Sequence, residues 1–373
     1  MTLPGYATSE GTAAYRQRFS RTCAAGHFRS AADLWLSSIG LGTYLGEPDE
    51  RADALYGTAI GRALELGCNV LDTAINYRHQ RSERIIGQTL AACVQAGKVS
   101  REAVVVATKG GYIAFDGAVP SDPRSYVHSQ FIATGLATSS DIVDWNCVAP
   151  RYIDAQVEQS LRNLGLECID IYYLHNPEAQ LQKRTRQEFY KQLEETFTIL
   201  EGKVAAGKIR HYGTATWNGY RQAPTARDVL FLNDLVDIAE RVGGSQHHFK
   251  VVQLPYNLAM MEALTQRNQR QNKTMVSFLE AAHDADITVM ASASILQGRL
   301  SHQLPTAIGE ALTGLHSDAQ RAIQFVRSTP GITTALVGMK SVAHVEHNLE
   351  LATIAPAAFT QLERLFRSHL EQR

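Results

Sequence analysis

Cysteine is sparse in this chain and poorly placed for framework chemistry. The five cysteines, Cys23, Cys68, Cys93, Cys147 and Cys168, are widely spaced and odd in number, and none forms a C-x-x-C pair. That pattern supports neither a disulfide framework nor a paired-cysteine zinc site. Cys68 and Cys168 fall beside strand-like runs and read as buried thiols of a reducing compartment. An excess of one charge is also missing. The formal net charge of −1 gives no electrostatic reason to expect nucleic acid or an anionic membrane as partner. No apolar run is long enough to span a bilayer. The opening residues M1-T-L-P-G-Y lack the basic-then-apolar pattern of a signal peptide. The expectation is a cytoplasmic protein without a membrane partner.

What is present is a long alternation of apolar strand-like runs and amphipathic helical stretches. Hydrophobic residues make up 45% of the 373 and charged residues 20%, which is enough for a large core and argues against disorder. A strand-like run begins near residue 36, and a helix is expected over 52–67. Strand 69–72, a helix from Ser82 to about 96 and strand 103–109 follow. After a long irregular stretch come helix 152–164, strand 168–174, helix 186–206 and strand 209–214. The series closes with helix 227–242, strand 250–254, helix 274–285, strand 287–291, helix 317–328, strand 332–337 and helix 342–352. Short strands that are apolar on both faces belong to a parallel sheet covered by helices. Eight such units in order, with no G-x-G-x-x-G after any strand, predict an α/β fold of the (β/α)8 TIM-barrel type rather than an open doubly wound sheet.

The whole of 1–373 reads as one barrel domain. Residues 1–35 form an N-terminal arm that covers the barrel bottom or wraps a neighbour, 110–150 form a long loop after the third strand, and 353–373 form a C-terminal tail. Loops of that length are usually functional, and this one would stand over the face where barrel strands end, as a substrate lid.

Three consecutive strand ends carry ionisable groups. Asp72 and Tyr77 sit in N69-V-L-D-T-A-I-N-Y77, Lys109 closes V104-V-V-A-T-K109, and His175 closes I169-D-I-Y-Y-L-H175. In a parallel barrel these ends converge on the face where chemistry is done. A free phenol has a pKa of about 10, too high for easy proton donation at neutral pH. A neighbouring ammonium favours the phenolate, so Lys109 is expected to lower the pKa of Tyr77 and make it a better acid. Asp72 would hold Lys109, and His175 would hydrogen-bond a carbonyl oxygen or share in proton transfer. No side chain supplies a hydride, so a nicotinamide is implied.

From about residue 36 to 352 the chain resembles the aldo-keto reductase family. The segments that carry the likeness are G40-L-G-T-Y44, L71-D-T-A-I-N-Y77, A107-T-K109, V157-E-Q-S-L-R-N-L164 with D170-I-Y-Y-L-H175, V252-Q-L-P-Y-N257 and V337-G-M-K-S-V-A-H-V-E-H-N348. The resemblance implies a (β/α)8 barrel that binds NAD(P)H without a Rossmann motif. It also implies a catalytic tetrad of Asp72, Tyr77, Lys109 and His175 with the tyrosine as general acid. Carried over position by position, it places Gln253 on the nicotinamide carboxamide and Thr43 and Tyr44 near the nicotinamide end. Ser292, Ile295 and Gly298, in S292-A-S-I-L-Q-G298, would lie by the pyrophosphate. Gly338, Lys340, Ser341, His344, His347 and Asn348 fall at the adenosine end, with Lys340 on the 2′-phosphate. NADP(H) is therefore the expected cofactor, with NAD(H) as the alternative.

Several positions depart from the family pattern. Ala215-Thr216 stands where Ser-Asn is common, leaving Thr216 or Asn218 to replace the lost amide contacts. Ser292 stands where an aromatic often stacks on the nicotinamide. His344 and His347 replace a frequent arginine or glutamine and a frequent glutamate. The expected partner is a small carbonyl compound reduced to an alcohol, and the sequence leaves the oligomeric state open. Two other classes compete. One is a slow-turnover, cofactor-binding regulatory subunit similar to the potassium-channel β-subunits. The other is a metal-dependent barrel hydrolase or isomerase, disfavoured because no His/Asp/Glu ligand cluster falls at the strand ends.

Overall fold

The computed structural model describes residues 2–370. Eight parallel strands close into a barrel: β1 (Ile39–Gly42), β2 (Val70–Asp72), β3 (Val105–Gly110), β4 (Ile169–His175), β5 (Ile209–Ala215), β6 (Phe249–Pro255), β7 (Thr288–Ser292) and β8 (Thr334–Gly338). Each pairs in parallel with its sequence neighbour, and β8 closes on β1. A helix follows each strand: α1 (Glu50–Glu65), α2 (Arg81–Gln95), α3 (Pro150–Leu164), α4 (Arg186–Ala205), α5 (Leu232–Gly243), α6 (Phe278–Asp284), α7 (Asp318–Ser328) and α8 (Val342–Leu349). The strands are buried on both faces because the helices pack outside and side chains fill the lumen. Leu34, Leu36, Val70, Val105, Ile171, Tyr173, Val251, Met290 and Leu336 form that inner cluster. At Gly213 the β5–β6 register shifts, and the close approach there demands glycine: a Cβ would stand 1.6 Å from the Val251 carbonyl oxygen.

The N-terminal arm closes the bottom of the barrel. A helix, Ser9–Arg18, capped by the Thr8 hydroxyl, leads into an antiparallel hairpin of Phe28–Ala31 with Leu34–Ser37. Leu34 and Leu36 plug the lumen from below. Asn69 ties the hairpin to β2 by accepting from Ser37 N at 2.8 Å and donating to Trp35 O at 2.8 Å. Deeper in, Asp170 accepts from Ala7 N at 2.6 Å, Val106 N at 2.8 Å and the Arg101 guanidinium at 2.8 Å.

Three local expectations differ from the structure. The run 274–285 is divided: Thr274–Ser277 is a strand paired with Arg267–Gln271, and Ser277 caps α6 only from Phe278. The β-branched Thr274 and Val276 favour the extended form, and the capping serine sets the boundary. Helix α5 begins at Leu232 rather than 227, because 227–228 form a turn and 229–231 take no regular structure before the extended Phe231 at the helix start. The loop 110–150 has structure of its own: a short helix Pro123–Val127, a further turn His128–Ile132 and another at Ser139–Asp141. At the other end of the chain, a helix spans Phe359–Leu370 within the expected tail. Residues 371–373 of that tail lie outside the described residues.

Candidate active site

β2 ends at Asp72, β3 carries Lys109 one residue before its end, and β4 ends at His175. Tyr77 follows in the turn after β2, which is pinned to β3 by Thr73 N to Ala107 O at 2.9 Å and Ile75 N to Lys109 O at 3.1 Å. The four side chains therefore meet at the C-terminal rim of the barrel. Lys109 Nζ donates to Asp72 Oδ1 and to the Thr73 carbonyl, each at 2.7 Å. It stands 5.0 Å from the centre of the Tyr77 ring. That ring lies 5.9 Å from the imidazole of His175, centre to centre.

Burial decides the charges here. Desolvation lowers the pKa of Lys109, opposed by the charge of Asp72 and its hydrogen bond. His175 is held well below its ordinary value by burial and then by the Lys109 charge, so it is a neutral imidazole. Its Nδ1 is buried without a hydrogen-bond partner. Tyr77 moves opposite to the expectation from the sequence. Burial first, then the charge of Asp72 and the neighbouring Tyr44 and Tyr112, push its hydroxyl well above the usual phenol range. Lys109 cannot reverse this, because its charge is already matched by Asp72 at contact distance. The phenol is held firmly protonated.

A groove of about 880 Å³ runs from these residues across the rim to α8. Asp72, Tyr77 and His175 line one end, with Thr43, Tyr44, Tyr112, Thr216 and Trp217; Lys109 lies beneath them, 1% exposed. Gln253, in contact with Asp72, belongs to the same end; Ser292, Ile295 and Gly298 continue the lining toward Gly338, Lys340, His344, His347 and Asn348. Among the expected cofactor residues, Ser341 does not line the groove: its hydroxyl caps α8 by accepting from His344 N at 3.3 Å. Gln253 donates its amide to Asp72 Oδ2 at 2.7 Å, a bond that the sequence did not suggest.

Sequence reasoning also missed His302 and Ser317 at the far end, where Ser317 Oγ lies 2.7 Å from His347 Nε2. Ser317 carried the signal of a helix cap but none of a groove. A third omission is Glu178, which is buried behind the groove. Its Oε1 accepts from the backbone N–H groups of Trp217, Asn218 and Gly219 at 2.9, 3.0 and 3.2 Å. An acid three residues beyond a strand-end histidine was the available hint.

Of the long loop 110–150, Tyr112 lines the groove. Tyr112 faces His175 with ring centres 5.0 Å apart, whereas Phe115 and Trp145 pack on each other at 6.0 Å. The loop's return leg buttresses the site instead, because Asn146 donates its amide to the His175 carbonyl at 2.8 Å.

Polar groups suited to an extended, phosphate-bearing ligand are present along the whole groove. Thr216 Oγ1 and His175 Nδ1 are buried without partners at one end. At the other, Lys340 makes no ion pair among the described residues and precedes the start of α8, a favourable place for an anion. Gly338 leaves open space where a side chain would intrude.

Comparison with known proteins decides the family. The description of the aldo/keto reductase family matches residues 38–365. The chain belongs to that family. Over 188 residues this aldo-keto reductase is 32% identical to the NADH-specific methylglyoxal reductase of Escherichia coli, a stretch covering 49% of each chain. It therefore spans about half the length of that relative. A second Escherichia coli protein, the methylglyoxal reductase YeaE, is 23% identical over 79% of this chain and 87% of its own. Among solved structures, an aldo/keto reductase from Klebsiella pneumoniae, in complex with NADP and acetate, superposes with a TM-score of 0.61 at 22% identity. That match covers 92% of this chain and 95% of the other, and at such identity the likeness speaks for the barrel fold. No helix among the described residues is long and apolar enough to cross a membrane.

Proposed function

We propose that this protein reduces an aldehyde or ketone to an alcohol using NADP(H), with Tyr77 as the proton donor. The observation that carries the reading is the meeting of Asp72, Tyr77, Lys109 and His175 at one end of a groove whose other end presents Lys340. When bound, the nicotinamide supplies the hydride. The chain's own residues do the rest. Tyr77 gives its hydroxyl proton to the carbonyl oxygen as negative charge develops there. His175 is neutral and donates a ring N–H to the same oxygen, which orients the carbonyl and stabilises its charge. The Asp72–Lys109 pair fixes a positive charge against the face of the Tyr77 ring.

Gln253 and Thr216 would hold the carboxamide, Ser292, Ile295 and Gly298 would border the pyrophosphate, and Lys340 would meet the 2′-phosphate. Lys340 favours NADP(H) over NAD(H), and the Klebsiella pneumoniae neighbour was solved with NADP. The methylglyoxal reductases among the relatives support a small carbonyl compound as substrate. The test is a fluorescence titration with NADPH and NADH, followed by cofactor consumption against a panel of aldehydes and ketones. Tight binding with turnover is expected. Tight binding without turnover on any carbonyl would replace this reading with that of a cofactor-binding regulatory subunit.

A further inference from the structure

Away from the groove, a second concavity of about 370 Å³ lies between the start of α4 and the loop before α5. Arg184, Arg186, Arg227 and Arg270 line it. Arg184 is committed to Asp141 at 2.8 Å. The other three make no ion pair among the described residues, and their recorded contacts are with neutral groups. Arg186 donates to the Val229 carbonyl at 2.8 Å, and Arg227 donates through Nε to the Leu181 carbonyl at 2.5 Å. Arg186 and Arg270 both stand against the Phe231 ring, 5.6 and 3.9 Å from its centre. The nearby carboxylates are bonded to neutral groups rather than to these three arginines, Glu188 at the wall residue Thr185. Glu188 closes the cap at Thr185, Asp228 accepts from the Asn218 amide at 3.2 Å, and Asp234 accepts from the Tyr190 hydroxyl at 2.6 Å.

Three guanidinium groups, from a helix start, a loop and the strand Arg267–Gln271, thus line one concavity with no ion pair of their own among the described residues. Like charges held close repel, and an anion between them removes that cost. The planar fork of arginine matches pairs of phosphate oxygens. Leu181, Pro224 and Phe231 add apolar wall, which suits an ester better than a bare ion. The volume sits at the small end of the range for metabolite pockets.

We infer that this cavity binds a small phosphate-bearing molecule, separately from the groove. A ligand held by Arg186 and Arg227 would join the segment after β4 to the loop after β5. Those two segments supply Asn176 and Trp217 to the carbonyl end of the groove.

Calorimetric titration with inorganic phosphate, pyrophosphate and ribose 5-phosphate tests this on wild type, Lys340→Ala and Arg227→Ser/Arg270→Ser proteins. The expected result is saturable binding of at least one ester or pyrophosphate with Kd below about 1 mM. Lys340→Ala should leave that binding unchanged, and the double arginine variant should weaken it by about tenfold or more. Arg227 and Arg270 are exposed, so circular dichroism should show the variant folded. Arg227→Lys/Arg270→Lys keeps the charges, and it should bind at an intermediate strength because the forked donors are lost. Binding that vanishes with Lys340→Ala and survives in the arginine variants would assign the anion to the groove and overturn the inference. Absence of saturation up to about 10 mM of every probe would overturn it as well.

Discussion

Gln253 on β6 donates its side-chain amide to Asp72 on β2, so one carboxylate serves both Gln253 and Lys109 across the mouth of the barrel. Each partner takes a different oxygen, at 2.7 Å. Asp72 is thereby fixed in position, and Lys109 is held under Tyr77. Asp72→Asn would leave a buried ammonium without its counter-charge. Removing one partner of such a pair costs about 3–5 kcal/mol. Lys109 would then hold its proton less tightly than in the unfolded chain, so the variant should regain stability as pH rises toward the ordinary lysine value. Urea denaturation at pH 7 and pH 9.5 checks this, and equal losses at both would refute the charge argument.

Tyr77→Phe removes the proposed proton donor and leaves ring packing intact. Turnover of an aldehyde is expected to fall by about 10²–10⁴-fold, while NADPH affinity is unchanged within about twofold. The raised pKa of the phenol adds a second expectation. Its proton is retained through the mildly alkaline range, so phenol ionisation should not limit carbonyl reduction below about pH 10. Steady-state kinetics from pH 6 to 9.5 measures both, and undiminished turnover in the phenylalanine variant would remove Tyr77 from the acid role.

Much of the barrel could be read from local patterns, because each strand is a short apolar run and each helix repeats its apolar positions at helical spacing. Asp72, Lys109 and His175 were legible for the same reason: an ionisable residue ending a buried run has few places to go except the barrel rim. What could not be read depends on residues far apart in sequence. The Asp72–Gln253 bond spans 181 positions, and the stapling of Trp217, Asn218 and Gly219 by Glu178 spans about 40. Leu36 and Ser37, the end of the Leu34–Ser37 strand, read as part of the first barrel run because Leu36 is as apolar as Ile39 and Leu41. Only the turn at Ala32 and Asp33, both with positive φ, shows that these residues form a separate hairpin. The sign of the Tyr77 shift was missed because burial, which outweighs the nearby lysine, is not visible in a spacing.

Glu178 is the buried carboxyl most exposed to pH in its consequences. Burial lifts its pKa from 4.5 to about 7, against the three backbone hydrogen bonds that favour ionisation. The folded protein therefore keeps a proton that the unfolded chain has already released. Between about pH 4.5 and 7 this group makes stability fall as pH rises. Glu178→Gln preserves an oxygen for the Trp217, Asn218 and Gly219 N–H groups and removes the ionisation. At pH 8 the variant should gain up to about 3 kcal/mol over wild type, and at pH 4 the two should nearly coincide. Thermal melts across that range decide it, and parallel curves would show that the carboxyl does not titrate there.

Asp170 offers a test of the barrel's two ends. Its carboxylate takes two backbone N–H groups, from Ala7 and Val106, and the Arg101 guanidinium, at the face opposite the groove. Asp170→Asn must aim an amide N–H₂ at one of those donors and leaves Arg101, buried, without a charge partner. A loss of about 3–5 kcal/mol is expected. Residues at the bottom of such a barrel serve stability and those at the top serve chemistry. The variant should accordingly melt well below wild type yet keep its NADPH affinity and its turnover at low temperature, where it remains folded. A drop in turnover larger than the unfolded fraction measured by circular dichroism would show that the arm also shapes the site.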